Sequence, residues 1–344
     1  MISTLIVKSC SVPLVFAAVG ATIISLGCRY SPPHPPTFAD FRRVGPGMLE
    51  DEKKWKAQLV VLEAAMLSPR DIEVIRANKN PQELVGAALN AKVGDKNISA
   101  LTREAFLHGS NDPVILTGIA QSLIREIANG VQGARDGPDL QQVLTALGQL
   151  EPDNGLTLCL RAYLQLKQGE TNAAQLSVKA ATQKPALRLH GAELRRCVLQ
   201  AAITAKYPRF TASMLAIGTL GTSAEVSVVG RQLLNNPQLD RATAEACLEL
   251  GRRHEAQAKL FIDQLIAFSL QKRALELLKP TGFEQELKRM QDAKEQIKKA
   301  TAFLDSATAH TASERQWLAY FETLFEQSEF EAVKQLAVML NQKL

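Results

Sequence analysis

Cysteine is scarce and unpaired in this chain: five occur in 344 residues, with no CxxC among them. That excludes a disulfide scaffold and the standard zinc-finger spacings. An excess of one charge is also missing. Forty Lys and Arg stand against 35 Asp and Glu, leaving +5, which excludes a polybasic nucleic-acid binder and an acidic tail. The histidines, His34, His108, His190, His254 and His310, form no HExxH and no pair within one helical turn, so local metal ligation by His is unsupported. No GxxxxGK[ST], no GxGxxG after a strand and no GxSxG elbow occurs, which removes those phosphate loops and that nucleophile turn. Strand-like alternation is rare too. Its best stretch, Val226 to Val229, sits behind Thr222 and Glu225, a capping-box spacing that argues for helix. What is present is 46% hydrophobic and 22% charged residues, enough to bury a core. The length fits two average domains or one elongated repeat array.

One long apolar run exists. Ser9 to Gly27 carries no charged residue, and as a helix it would extend roughly 28 Å, about a bilayer core. It ends Ile24-Ser25-Leu26-Gly27-Cys28, which resembles the lipobox of bacterial lipoproteins, where a small residue precedes a Cys lipidated after signal cleavage. Gly27 and Cys28 fit that pattern, whereas Ser25 stands where Leu is usual and Leu26 where a small residue is usual. The resemblance implies Cys28 as a lipidation site and a place in the cell envelope. An uncleaved single-pass anchor and an ordinary cleaved signal are the alternatives. Lys8 lies before the run and Arg29, Arg42 and Arg43 after it, a count that favours a cytoplasmic body if the segment spans. The Pro-Pro pairs of Arg29 to Thr37 favour polyproline II and read as a tether. The expected organisation is a signal or anchor over 1–28, a Pro-rich tether over 29–47 and a helical body over 48–344.

The body's punctuation is helix-start chemistry. Ser68-Pro69-Arg70-Asp71 and Asn80-Pro81-Gln82-Glu83 each put a capping side chain before Pro at the first helical position, and Asp112-Pro113 does the same. Thr222 with Glu225 and Thr311 with Glu314 have capping-box spacing. Such side chains matter because the first helical N–H groups have no internal partner. Apolar residues recur at three and four: Trp55, Leu59, Leu62 and Met66; Ile115, Ile119, Leu123 and Ile127; Phe283, Leu287, Met290, Ile297, Ala300 and Leu304. The spacing predicts about a dozen helices and essentially no sheet. The 282–308 stretch reads as an exposed helix with one apolar stripe.

Pro113, Pro152, Pro185 and Pro237 precede new helices at intervals of 39, 33 and 52 residues. From Glu151-Pro152-Asp153-Asn154 to Pro185 the chain resembles a tetratricopeptide repeat, with Ala162, Ala174 and Ala181 at its small positions and a turn at Lys167-Gln168-Gly169-Glu170. Leu158 and Gln165 replace the usual aromatics. Trp317, Tyr320, the turn Gln327 to Phe330 and Ala332 resemble it more loosely. The resemblance implies an all-α fold, a right-handed superhelix of antiparallel helix pairs with a concave face for protein partners. The polar C-terminal helix, with Lys334, Gln335, Asn341, Gln342 and Lys343, suits an end cap.

Chemistry is thin. Cys159, Cys197 and Cys247 fall in apolar patterns and read as buried structural thiols. A Cys197–His190 pair, seven apart, lacks an orienting group. Gly218 to Thr222 reads as an inter-helix turn. A basic run, Lys184, Arg188, Arg195, Arg196, Lys206 and Arg209, includes only Glu193 as an acid. Of these, Arg188, Arg195, Arg196, Lys206 and Arg209 are the candidate partner-binding residues; sparse aromatics disfavour nucleic acid. No cofactor, metal or catalytic residue is indicated. The expectation is a membrane-tethered helical-repeat scaffold for an unidentified protein partner, without catalysis. An enzyme with a site assembled between helices, or a purely structural spacer, is the alternative.

Overall fold

The computed structural model describes residues 38, 67–91, 95–130, 138–219 and 223–343. The signal segment with Cys28, the Trp55-to-Met66 stripe, His34 and Thr222 of the supposed capping box lie outside these. Of the supposed tether only Phe38 is described, and its ring packs on that of Phe210 at 4.9 Å.

Among the described residues there are sixteen helices and no strand, only an isolated bridge between Asn154 and Ala186. We number them α1 Pro69–Asn78, α2 Pro81–Asn90, α3 Asn97–Gly109, α4 Pro113–Ala128, α5 Leu140–Leu150, α6 Leu156–Lys167, α7 Thr171–Gln183 and α8 Gly191–Thr204. Next come α9 Arg209–Ile217, α10 Ser223–Leu234, α11 Arg241–Glu255, α12 Phe261–Leu278, α13 Phe283–Leu304, α14 Ala307–His310, α15 Glu314–Glu326 and α16 Glu329–Met339. The all-helical expectation holds, and the Val226-to-Val229 stretch is helix, within α10.

Starts form where cap chemistry demands. Ser68 and Asp71 make a reciprocal capping box at α1, while Asn80 and Asp112 cap α2 and α4 ahead of Pro. One expected start moves. Thr311 does not cap α15; Ser313 does, in a box with Gln316, because the single-turn α14 capped by Ser306 still occupies Thr308 to His310. Helix ends are also satisfied from a distance: Arg125 of α4 donates to the Leu89 and Ala91 carbonyls that close α2, at 2.5 and 2.9 Å.

Sequential pairs pack closely: α2 with α3, α6 with α7, α11 with α12, and α15 with α16. In α6–α7 the small residues Ala162, Ala174 and Ala181 are all fully buried, as close helix crossing requires. Asn154 ties the entrance of α6 to the loop after α7, bonding both the N–H and the carbonyl of Arg188. The packing is not confined to neighbours, as it would be in a strict array. Helix α2 lies against α8, and α9 lies against α15 through Phe210 and Phe321 at 5.4 Å. Gly86 allows the first of these contacts: a Cβ there would stand 2.8 Å from the Val198 nitrogen and nearer still to the Cys197 carbonyl. The α13 stripe behaves as its spacing predicts, burying Met290, Ile297, Ala300 and Leu304 and leaving a polar outer face.

Candidate functional site

Charged residues at the i, i+3 and i+4 steps of apolar stripes converge under the C-terminal pair. Arg195 shares its stripe with Val198 and Ala202 on α8, His254 with Cys247 and Leu250 on α11, Asp263 with Ala267 and Leu270 on α12, and Glu329 with Val333 and Leu336 on α16. Arg195 and Asp263 are each 3% exposed and His254 1%. Arg195 Nη1 meets Asp263 Oδ2 at 3.4 Å. Glu329 Oε2 accepts from the Phe261 N–H at 2.6 Å, and Tyr320 Oη donates to Glu329 Oε1 at 3.4 Å.

Each group's protonation follows from this setting. Burial raises the Glu329 carboxyl to about 7, with Asp263 adding to the rise, while the Phe261 N–H, Tyr320 and Arg195 pull the other way. Burial also lowers His254, so its imidazole is neutral, against a small opposing pull from Asp263. Tyr320 is pushed far above its ordinary range by burial and by Glu329. The arrangement offers a guanidinium, two carboxylates and a neutral imidazole shut inside helix contacts. It holds helices together and binds protons.

A second such group joins α10 to α4. Glu225, in the first turn of α10, is buried and raised to about 7 by desolvation, with Arg125 opposing. The same burial lowers Arg125.

Four of the five expected partner-binding residues, Arg188, Arg196, Lys206 and Arg209, are exposed, and Arg195 is not. Arg195 is a correction: it lies inside, paired with Asp263, because its position on α8 belongs to the apolar stripe. Arg188 is exposed and 3.4 Å from Glu151. Arg196 and Arg209 are exposed along α15, Arg196 donating to the Phe325 carbonyl at 3.5 Å and Arg209 pairing with Glu322 at 3.0 Å. Lys206 is exposed just after α8, at φ +63°.

The three thiols Cys159, Cys197 and Cys247 are buried and free, each pushed up to about 12 by desolvation, as their patterns predict. His190 directs Nε2 at Glu151, 3.0 Å away, so Cys197 gains no base from it. His254 lies in the last turn of α11 and is buried. Among the described residues no cluster of three or more His, Cys, Asp or Glu is placed to hold a metal ion, and no helix is long and apolar enough to cross a membrane. An open groove of about 360 Å³ runs along α15–α16, lined by Thr323, Gln327, Glu331, Lys334, Gln335 and Val338. Lys334 and Gln335 of the expected end cap lie on it.

Sequence reasoning missed Asp263, His254, Tyr320 and Glu329. The signal was present: each ionisable residue falls on the apolar side of its own helix. No protein-family model matches the chain, and no curated protein or solved structure matches it.

Proposed function

We propose that this protein is a non-catalytic scaffold that binds a protein partner, carried on the membrane of a cell envelope by its N-terminal segment. The observation that carries the reading is where the ionisable side chains lie. Arg195, His254, Asp263 and Glu329 are spent inside helix joints, while Arg188, Arg196, Lys206 and Arg209 remain exposed for electrostatic contact with an acidic partner. The pairs α6–α7, α11–α12 and α15–α16 are taken as units of a tetratricopeptide-like superhelix, supported by buried Ala162, Ala174, Ala181 and Ala332 and qualified by the α2–α8 and α9–α15 packing. The membrane attachment rests on the Ser9-to-Gly27 run and on Cys28.

The alternative, an enzyme with a site assembled between helices, draws on the same convergence of Asp263, His254 and Glu329 from distant positions. The joint's near-complete burial favours a structural role for it.

Two measurements test the proposal. Mass spectrometry of the mature N-terminus is expected to find a diacylglyceryl group on Cys28; an intact Met1 points instead to a single-pass anchor, and a cleaved unlipidated chain refutes the tether. Site-specific photocrosslinking in intact cells from position 196 is expected to capture one protein repeatedly, and the joint reversal of Arg188, Lys206 and Arg209 to Glu to abolish it. Crosslinks that survive the reversal unchanged refute the partner-binding role of these residues.

A further inference from the structure

The C-terminal pair α15–α16 is fastened to the α11–α12 turn by a two-way exchange of caps. Helix α12 has Leu260 at its N-cap and so lacks a capping side chain of its own. Glu329, the first residue of α16, supplies one through its 2.6 Å bond from the Phe261 N–H, and its own N–H donates to the Lys259 carbonyl at 2.8 Å. In return Lys259 Nζ donates to the Phe325 and Glu326 carbonyls that end α15, at 3.5 and 3.1 Å. Phe261 and Phe330 close the seam with ring centroids 6.3 Å apart.

The charges inside this seam do not balance if every acid is ionised. Facing Glu329 are Asp263 from α12, Arg195 from α8 and Tyr320 from α15, and the neutral His254 of α11 lies beside Asp263. The other cations and anions nearby, Lys259, Arg196, Arg209 and Glu322, reach the surface. Helix α13 also packs on α16, and the residues it buries, Met290, Ile297, Ala300, Thr301 and Leu304, carry no charge. Two carboxylates therefore share one guanidinium out of water. With Glu329 protonated the closed seam is neutral; with it ionised a net negative charge is buried.

We propose that α15–α16 is a proton-dependent latch, closed while Glu329 carries its proton beside the Arg195–Asp263 pair and loosened from the α11–α12 turn when that proton leaves. The raised position of Glu329 puts the change near neutral pH. Opening uncovers Phe210 and Phe261, whose rings now pack on Phe321 and Phe330, and so exposes an apolar face only in the deprotonated state.

Hydrogen exchange followed by mass spectrometry on the full chain at pH 6 and pH 8.5, corrected for intrinsic exchange rates, tests this. Protection over 314–343 is expected to fall by up to about tenfold per pH unit above neutrality, and to fall further than protection in α6–α7. Glu329→Gln keeps a carbonyl acceptor for the Phe261 N–H but cannot ionise, so its 314–343 protection should not change with pH. If that variant fails to dock the pair, Asp263→Asn removes the second acid and should likewise flatten the response. Native protection over 314–343 that is constant with pH, an equal fall in α6–α7, or a native-like response in both variants overturns the latch.

Discussion

Gly86→Ala is the sharpest test of the contact between α2 and α8, helices more than a hundred residues apart in the chain. The added Cβ would stand 2.8 Å from the Val198 nitrogen and closer still to the Cys197 carbonyl oxygen. Carbon contacts are comfortable at about 3.5 Å, so the two backbones must part by at least about 0.7 Å. Neither obstacle is a side chain that can swing away. Overpacking of this kind costs about 1 to 3 kcal/mol, and backbone against backbone belongs at the upper end. Against it stands the helix preference of Ala over Gly, about 1 kcal/mol. The net is a destabilisation of about 2 kcal/mol, or roughly a 4 °C fall in Tm for a body of this size. Gly148→Ala is the control. Its Cβ meets Thr157 Cγ2 at an ordinary 3.6 Å, so it should raise stability by about 0.5 to 1 kcal/mol. Thermal and urea unfolding of both variants beside the native chain reads the difference. A Gly86→Ala protein that melts at or above the native temperature refutes the α2–α8 contact.

Further outcomes follow from the same geometry. Arg195→Met leaves Asp263 buried without its partner and should cost about 3 kcal/mol in urea unfolding, whereas Arg196→Ala should stay within about 0.5 kcal/mol; equal effects would place Arg195 at the surface. Glu225 is raised from the ordinary 4.5 to about 7 in the folded chain, so its contribution is fully present below pH 4.5 and is lost as pH rises through 7. The stability of the native chain relative to Glu225→Gln should therefore drop by about 3 kcal/mol between pH 4 and pH 8, and a difference constant with pH would contradict the burial of this carboxyl. Cys159, Cys197 and Cys247, with thiols held at about 12, should resist iodoacetamide at pH 8 in the native chain and react in guanidinium; peptide mapping that finds any of them alkylated in the native chain would show it to be accessible.

Helix starts were legible because their physics is local. Ser68, Asn80 and Asp112 satisfy N–H groups within one turn, and nothing outside that turn has to be known. The α13 stripe was legible too, and so was the burial of Ala162, Ala174 and Ala181, whereas on α4 Ile127 is exposed and Ile124 is buried instead. The shift from Thr311 to Ser313 shows where this fails: two overlapping caps compete, and a four-residue helix decided between them.

By itself, then, the sequence determined an all-helical chain with small residues where α6 and α7 cross, since those outcomes depend on neighbours three and four positions away. Only the tertiary structure decided which stripe meets which. It set α2 on α8 and placed Arg195, read as a surface cation, opposite Asp263, because whether a charge in an apolar stripe faces water depends on a helix arriving from elsewhere in the chain. The seam at Glu329 belongs to the same class: its acids and its single guanidinium come from three helices, and no local pattern records that they share one buried space.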